Sequence, residues 1–175
     1  LIDIDNINKV LTKTLKESIK YRGISDVDVG VFLSGGIDSS TNAYFFSKNS
    51  KKKIKTFSIG YDKEYKSYKS ELNYARIVAE HIKSLHFEKK LRKDDIKNII
   101  FDMVYFQDEP ISDPVCVPIF YVSKLAKENN IKVCQVGEGA DELFFGYTNW
   151  FRTSKINMLI NNVFFPDFLK KLILF

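Results

Sequence analysis

Seven consecutive residues, Ser34 to Ser40, read SGGIDSS and combine two glycines, three hydroxyls and one carboxylate. Gly35 and Gly36 allow backbone angles that a side chain would forbid, and they let a ligand approach the main chain closely. Hydrogen-bond donors come from the hydroxyls of Ser34, Ser39 and Ser40. Asp38 would repel a bare phosphate, but it suits a Mg²⁺ ion that phosphates share. The SGGIDSS loop therefore predicts a phosphate- or pyrophosphate-binding site.

Two elements must position this loop. The apolar run VDVGVFL before it, residues 27–33, reads as a buried strand, and TNAYFF after it reads as the start of a helix. The free N–H groups and the dipole of a helix N-terminus favour an anion in such a turn. The alternative is an ordinary glycine turn with a helix cap. The loop is not a Walker A motif, because no Gly-Lys-Ser/Thr follows it.

A second strand, glycine turn and helix follow later in the chain. The run IKVCQV, residues 131–136, leads directly into GEGADE and then LFFGY. Gly137 and Gly139 again permit close approach to a ligand. Asp141 and Glu142 open the helix, where capping alone would explain them. If the two strands are neighbours, Asp38 and Asp141 could share one Mg²⁺ ion, which typically takes one or two carboxylates.

Between these two turns the chain alternates strands and helices. The order is strand 54–59 ended by Gly60, helix 71–82 and strand 84–91, and a helix over 7–21 that ends at Gly23 precedes the first turn. This alternation is typical of a doubly wound parallel sheet, where ligands bind at the carboxyl ends of the strands. Ile59 is then expected at the ligand, although a core position is the alternative.

The segment DEPISDP, residues 108–114, carries three carboxylates and two prolines. The prolines predict an ordered connection that is not helical. Its carboxylates could face a metal or an amino group, or they could form turns and cap the following helix. Both interpretations stay open.

Composition limits the classes of function. The chain of 175 residues is 45% hydrophobic and 28% charged, with a net charge of +5 and a pI near 9.0. A solvated, lysine-rich surface explains this charge, so a nucleic-acid partner is not expected, and an RNA-binding patch is the alternative. Cys116 and Cys134 lack metal-ligand spacing, which favours reduced thiols and a cytoplasmic protein. The sequence contains neither a signal peptide nor an apolar run of about 20 residues, so no membrane segment is predicted.

Several motifs together resemble a known family. The string SGGIDSS alone is similar to the pyrophosphate-binding loop (PP-loop) of the ATP pyrophosphatase superfamily. In chain order, VGVFLSGGIDSS, TFSIG, ELNYARIVAEH, DEPISDP and VGEGADELFFGY resemble the synthetase domain of glutamine-dependent asparagine synthetase. This resemblance extends from about residue 24 to residue 147.

The resemblance implies a fold and a site. The fold would be α/β, an open parallel sheet with helices on both faces, Rossmann-like and of the adenine nucleotide alpha hydrolase type. The residues 34–40 would hold the pyrophosphate of ATP, Asp38 and Asp141 would bind Mg²⁺, and Glu138 would assist formation of an aspartyl-adenylate. The ATP pocket would be lined by Leu33, Ile59, Val136 and Gly137.

The resemblance also implies a reaction and partners. ATP would adenylate the side-chain carboxylate of aspartate, and ammonia from glutamine would then attack to give asparagine, AMP and pyrophosphate. A glutaminase domain would precede this segment, and a homodimer of the full-length protein is a candidate assembly. Residues 1–150 would form the synthetase domain, and residues 151–175 would start a truncated helical region. The first residue, Leu1, and the apolar end Leu172 to Phe175 likewise predict a piece of a longer protein.

The sequence leaves alternative functions open. Relatives of the family amidate sugars or close β-lactam rings, so the acceptor is open. A tRNA-modifying ATP pyrophosphatase would share SGG-x-DS but not GEGADELFFGY. The family's helical region supplies a lysine with no counterpart here, so the segment could bind nucleotide without turnover.

Overall fold

A computed structural model describes residues 3–62, 71–107, 109 and 113–162. Its sheet has four strands in the order β3-β2-β1-β4, and each neighbouring pair is parallel. The strands are β1 (Val29–Phe32), β2 (Lys55–Tyr61), β3 (Leu85–Leu91) and β4 (Val133–Gln135). The predicted open parallel sheet is therefore confirmed.

Seven helices accompany the sheet within the described ranges. They are α1 (Ile4–Arg22), α2 (Ile37–Asn49), α3 (Leu72–His81), α4 (Lys93–Phe106), α5 (Cys116–Glu128), α6 (Ala140–Phe144) and α7 (Thr148–Asn162). The chain divides into two compact units, Leu1–Gly137 and Glu138–Phe175. The sheet and helices α1 to α5 belong to the first unit, and α6 and α7 belong to the second. None of these helices combines the length and apolar character needed to cross a membrane.

Helices cover both faces of the sheet, as predicted. Neighbouring residues of a strand point to opposite faces, and the core separates accordingly. Val31 packs with Ile19, Ala43 and Ala79, from α1, α2 and α3. Phe32 points to the other face, where apolar residues of α5 pack against β2. Leu91 of β3 packs there too, with residues of α4 and α5.

Two glycines have roles that the sequence did not predict. Gly60 does not end β2, which continues to Tyr61 and pairs Gly60 with Lys90. A Cβ atom at Gly60 would collide with the side chain of Leu72, so glycine there lets α3 approach the sheet. Gly23 does follow the end of α1, but its φ is −83°. Glycine is needed at Gly23 because a Cβ atom would lie 2.9 Å from the ring of Phe46.

Candidate functional site

The SGGIDSS loop connects β1 to α2 at the carboxyl end of a central strand. Leu33, just before the loop, donates its N–H to the Phe57 carbonyl oxygen of β2 at 2.9 Å. The Leu33 carbonyl oxygen accepts a hydrogen bond from the hydroxyl of Ser58, which is buried in β2. The root of the loop is therefore fastened to the neighbouring strand. Ser58 was not predicted from the sequence, because a serine inside a strand gives no signal of a long-range partner.

Gly35 and Gly36 differ in their backbone angles. Gly35 has a φ of +95°, in the region that favours glycine. A Cβ atom there would lie 2.7 Å from the Ala75 nitrogen, 2.8 Å from Tyr74 Cβ and 2.9 Å from the Glu71 carbonyl oxygen. Gly36, the N-cap of α2, has a φ of −68°. Gly35 therefore uses the conformational freedom of glycine, whereas the backbone angle of Gly36 is one that any residue adopts.

Serine hydrogen bonds hold the loop in shape. The hydroxyls of Ser34 and Ser39 lie 2.9 Å apart. The Ser34 N–H donates to Ser39 Oγ at 3.2 Å, and the Gly36 N–H donates to Ser34 Oγ at 3.2 Å. Ser39, which is buried, also donates its hydroxyl to the Gly36 carbonyl oxygen at 3.2 Å. Ser39 thus organises the loop from beneath, whereas the exposed Ser34 lies at its surface.

The hydroxyl of Ser40 differs from these. Its oxygen is buried without a hydrogen-bond partner, although the Ser40 N–H donates to the Gly36 carbonyl oxygen at 3.0 Å. A buried hydroxyl without a partner costs about 1–3 kcal/mol. Such an atom beside an anion-binding helix start is a candidate contact for a bound group.

Asp38 lies half-buried in the first turn of α2. A carboxylate there is stabilised by the helix dipole, so capping electrostatics alone would permit it. Across the described ranges, no group of three or more His, Cys, Asp or Glu side chains could hold a metal ion. Asp38 belongs to the first unit and Asp141 to the second. The Mg²⁺ assignment of these two residues stays a prediction.

The strand that precedes the second glycine turn is a neighbour of β1. Val31 pairs with Gln135 of β4, so the two glycine turns follow adjacent parallel strands. A Cβ atom at Gly137 would lie 2.5 Å from the Asp38 carbonyl oxygen and 2.8 Å from the Ser39 nitrogen. Gly137 therefore packs against the first turn of α2, and the exposed Val136 lies just before it.

The remaining predicted pocket residues point into the core. The Leu33 side chain is 1% exposed and belongs to the cluster shared by α1, α2 and α3. Ile59 is half-buried and packs on the opposite face of the sheet. The backbone of Leu33 bonds to β2, and the predicted contacts of Leu33 and Ile59 with ATP stay predictions.

The second unit begins with the predicted catalytic residue. Glu138 is exposed, and Gly139 after it has a φ of +102° at the start of α6. The carboxylate of Glu142 accepts a hydrogen bond from the Tyr147 hydroxyl at 2.6 Å. This bond lowers the pKa of Glu142 and raises the pKa of Tyr147 to about 12. Glu142 therefore has a partner of its own within GEGADELFFGY.

The DEPISDP segment is described only in part. Asp108, with Pro110 to Ser112, lies outside the described residues. The Asp113 carboxylate accepts the N–H of Val115 at 2.9 Å, and the Asp113 carbonyl oxygen accepts the Cys116 thiol at 2.7 Å. For Asp113 the turn-forming interpretation is supported.

A family model and several curated proteins are similar to this chain. Residues 10–171 match the family model described as asparagine synthase. A putative glutamine-hydrolysing asparagine synthetase of Mycobacterium tuberculosis H37Rv is 39% identical over 138 residues, 79% of this chain and 20% of that protein. Asparagine synthetase (glutamine-hydrolysing) 1 of Bacillus subtilis is 35% identical over 143 residues, 82% of this chain and 22% of that protein. The chain thus spans about a fifth of these relatives' length.

One solved structure is similar in fold. The NH3-dependent NAD synthetase of Campylobacter jejuni superposes with a TM-score of 0.50 at 19% identity, over 79% of this chain and 60% of that one. At this identity the likeness concerns the fold alone, a parallel sheet with helices around it.

Proposed function

Because the chain belongs to the asparagine synthase family, we propose that it forms the ATP-binding part of an amide-forming ligase. In this proposal, ATP adenylates the side-chain carboxylate of aspartate, and ammonia displaces AMP to give asparagine. The observation that carries the proposal is the position of the SGGIDSS loop. It joins the carboxyl end of a central parallel strand to a helix N-terminus, where open α/β sheets bind phosphates.

The loop residues fit a pyrophosphate group in their chemistry. The first N–H groups of α2 have no partners within the helix, and the dipole makes this end positive. The Ser40 hydroxyl, buried without a partner, supplies a further donor, and we propose Ser34 as a contact at the exposed surface of the loop. These groups would stabilise the negative charge that accumulates on the departing pyrophosphate. Donors that folding has already oriented stabilise such a charge most, because they need no reorganisation during the reaction.

Asp38 is the residue of the first unit that we propose as a ligand of Mg²⁺, and Asp141 is proposed as a second. When bound, Mg²⁺ would neutralise part of the charge of the phosphates. Asp38 fits this task because a carboxylate at a phosphate site is otherwise repulsive. We propose Leu33, Ile59, Val136 and Gly137 as residues that line the ATP pocket, and Glu138 as the residue that assists adenylation.

The partners and location are proposals as well. The curated relatives are named as glutamine-hydrolysing enzymes, so we propose that a glutaminase domain supplies the ammonia. We propose a cytoplasmic protein, homodimeric at full length. The boundary at residue 150 between the synthetase domain and a helical region is also proposed.

The test measures pyrophosphate release by the complete protein with Mg·ATP, aspartate and ammonium. We expect AMP and pyrophosphate as products, and a loss of about a hundredfold or more in Asp38→Ala. Asp28→Ala is the matched control, because Asp28 is an exposed carboxylate before β1, at the opposite end of that strand from the loop. ADP as the product would refute the adenylation, and full activity of Asp38→Ala would refute the role of Asp38.

A further inference from the structure

Helix α3 is the surface against which the SGGIDSS loop rests. The three atoms that a Cβ atom at Gly35 would meet belong to Glu71, Tyr74 and Ala75, at the start of α3. Two of them are backbone atoms, which cannot turn aside as a flexible side chain can. Ala75 is fully buried at this contact. The position of the first turn of α3 therefore determines where Gly35 can lie.

The next residue, Arg76, attaches α3 to the edge strand β3. Its Nε donates to Glu88 Oε2 at 2.8 Å, and its Nη2 donates to Glu88 Oε1 at 2.6 Å. Its Nη1 donates to the side-chain oxygen of Asn73 at 3.2 Å, within the first turn of the same helix. Arg76 and Glu88 thus form a bidentate ion pair, which restricts the relative orientation of the two side chains more than a single hydrogen bond does.

Glu88 of β3 is linked to the loop through the neighbouring residue of β2. In the sheet register Glu88 is opposite Ser58. The Ser58 hydroxyl donates to the carbonyl oxygen of Leu33, the residue before the loop. One row of the sheet therefore holds both the partner of Arg76 and the hydrogen bond at the root of the loop.

We propose that Arg76 is a positioning residue for nucleotide binding. Through Glu88 it fixes the first turn of α3, and through α3 it fixes Gly35 and the loop donors. The inference rests on the proposed function for its link to ATP, but the effect of Arg76 on the loop is independent of any ligand.

The pair suits positioning better than it suits overall stability. The side chains of Arg76 and Glu88 are 46% and 30% exposed, and exposed ion pairs contribute little to the free energy of unfolding. The core on this face is held instead by buried apolar residues such as Ala75 and Ala79. Loss of Arg76 should therefore change the melting temperature only slightly.

The chain offers a matched control. Lys52 and Asp28 also form an ion pair, at 3.9 Å, with side chains 84% and 73% exposed. Asp28 precedes β1 and Lys52 precedes β2, so this pair lies at the amino ends of the strands. Lys52→Ala removes one lysine from a surface ion pair far along the strands from the loop.

The first measurement is hydrogen exchange in the complete protein without ligand. It follows the bonded amides of Leu33, Ser34 and Ser40. Arg76→Ala should accelerate their exchange about fivefold, and Glu88→Ala should do the same. The double variant should be no faster than either single variant, because the two side chains act as one unit. Lys52→Ala should leave these amides unchanged.

The second measurement is the KM for Mg·ATP in pyrophosphate release. Arg76→Ala should raise it about fivefold and leave the KM for the carboxylate substrate unchanged. The charge-swapped protein, Arg76→Glu with Glu88→Arg, should recover part of the loss.

The two measurements separate failure of the proposed function from failure of the positioning role of Arg76. A wild-type protein that releases no pyrophosphate would refute the proposed function, while the exchange of the loop amides would still decide the role of Arg76. Unchanged loop exchange in Arg76→Ala would overturn the positioning role. Acceleration spread evenly over β4 and α5 would overturn it too, because it would show a general loss of stability. An unchanged KM for Mg·ATP in an active enzyme would overturn the link to nucleotide binding.

Discussion

Substitution of Gly35 by alanine should destabilise the protein more than substitution of Gly36, the other glycine of the loop, by alanine. The φ of Gly35 is +95°, and a side chain at such an angle costs about 1–3 kcal/mol. The added Cβ would also lie 2.7 Å from the backbone nitrogen of Ala75. Forcing a methyl group into a packed contact costs about 1–3 kcal/mol more. The two costs together span about 2–6 kcal/mol, and we expect a loss of about 3 kcal/mol in the free energy of unfolding.

Gly36→Ala is the control, because it makes the same chemical change one residue later. Gly36 has a φ of −68°, and its Cβ would meet only the Ser34 hydroxyl, at 3.4 Å. Alanine at an N-cap position costs about 1 kcal/mol or less relative to glycine.

Thermal unfolding followed by circular dichroism distinguishes the two variants. Gly35→Ala should lower the melting temperature by about 6–12 °C, if 1 kcal/mol shifts it by about 2–4 °C at this size. Gly36→Ala should lower it by no more than about a third of that amount. Equal shifts in the two variants would refute the reasoning, because the φ angle and the contact with α3 would then carry no cost.

Two further predictions follow from pKa shifts. Burial lowers the pKa of His86 from its ordinary value of 6.5, and the hydrogen bond from Arg76 lowers that of Glu88 from 4.5. Both groups then bind fewer protons folded than unfolded, so the free energy of unfolding should fall as the pH drops below 6.5 and again below 4.5. Denaturant titrations across this range should show a smaller first fall in His86→Asn, and an identical curve would contradict it. Burial raises the pKa of Cys134 to about 11, so alkylation at about pH 8 should label Cys116 first, and faster labelling of Cys134 by mass spectrometry would contradict this.

The sequence predicted the architecture well because buried parallel strands and amphipathic helices leave strong patterns. The apolar runs around Val31, Phe57 and Cys134 indicated β1, β2 and β4, and all three are strands. The pairing of β1 with β4 was only a condition of the predicted shared site, and the structure shows it as a register between Val31 and Gln135. The strand ends were less predictable, since Gly60 continues β2 where a break was expected.

The contacts of the loop could not be predicted from the sequence. Nothing near Gly35 indicates that its neighbour is the backbone of Ala75, forty positions later. The ion pair of Arg76 and Glu88 joins the middle of α3 to β3, and charged residues on such surfaces are usually solvated. A pattern along one element reports which face is apolar, but it does not report which atoms of another element come within van der Waals distance.

The SGGIDSS loop is held from three directions within the first unit. Gly35 rests on α3, the backbone of Leu33 bonds to β2, and Gly137 packs behind the first turn of α2. Each of these contacts includes backbone atoms, so side-chain rotation alone cannot relax it. Donors that are fixed in this way during folding need no reorganisation when charge develops on a ligand. Substitution of Gly137 by alanine should therefore raise the KM for Mg·ATP in pyrophosphate release, because the added Cβ atom would displace the backbone of Asp38 and Ser39 together.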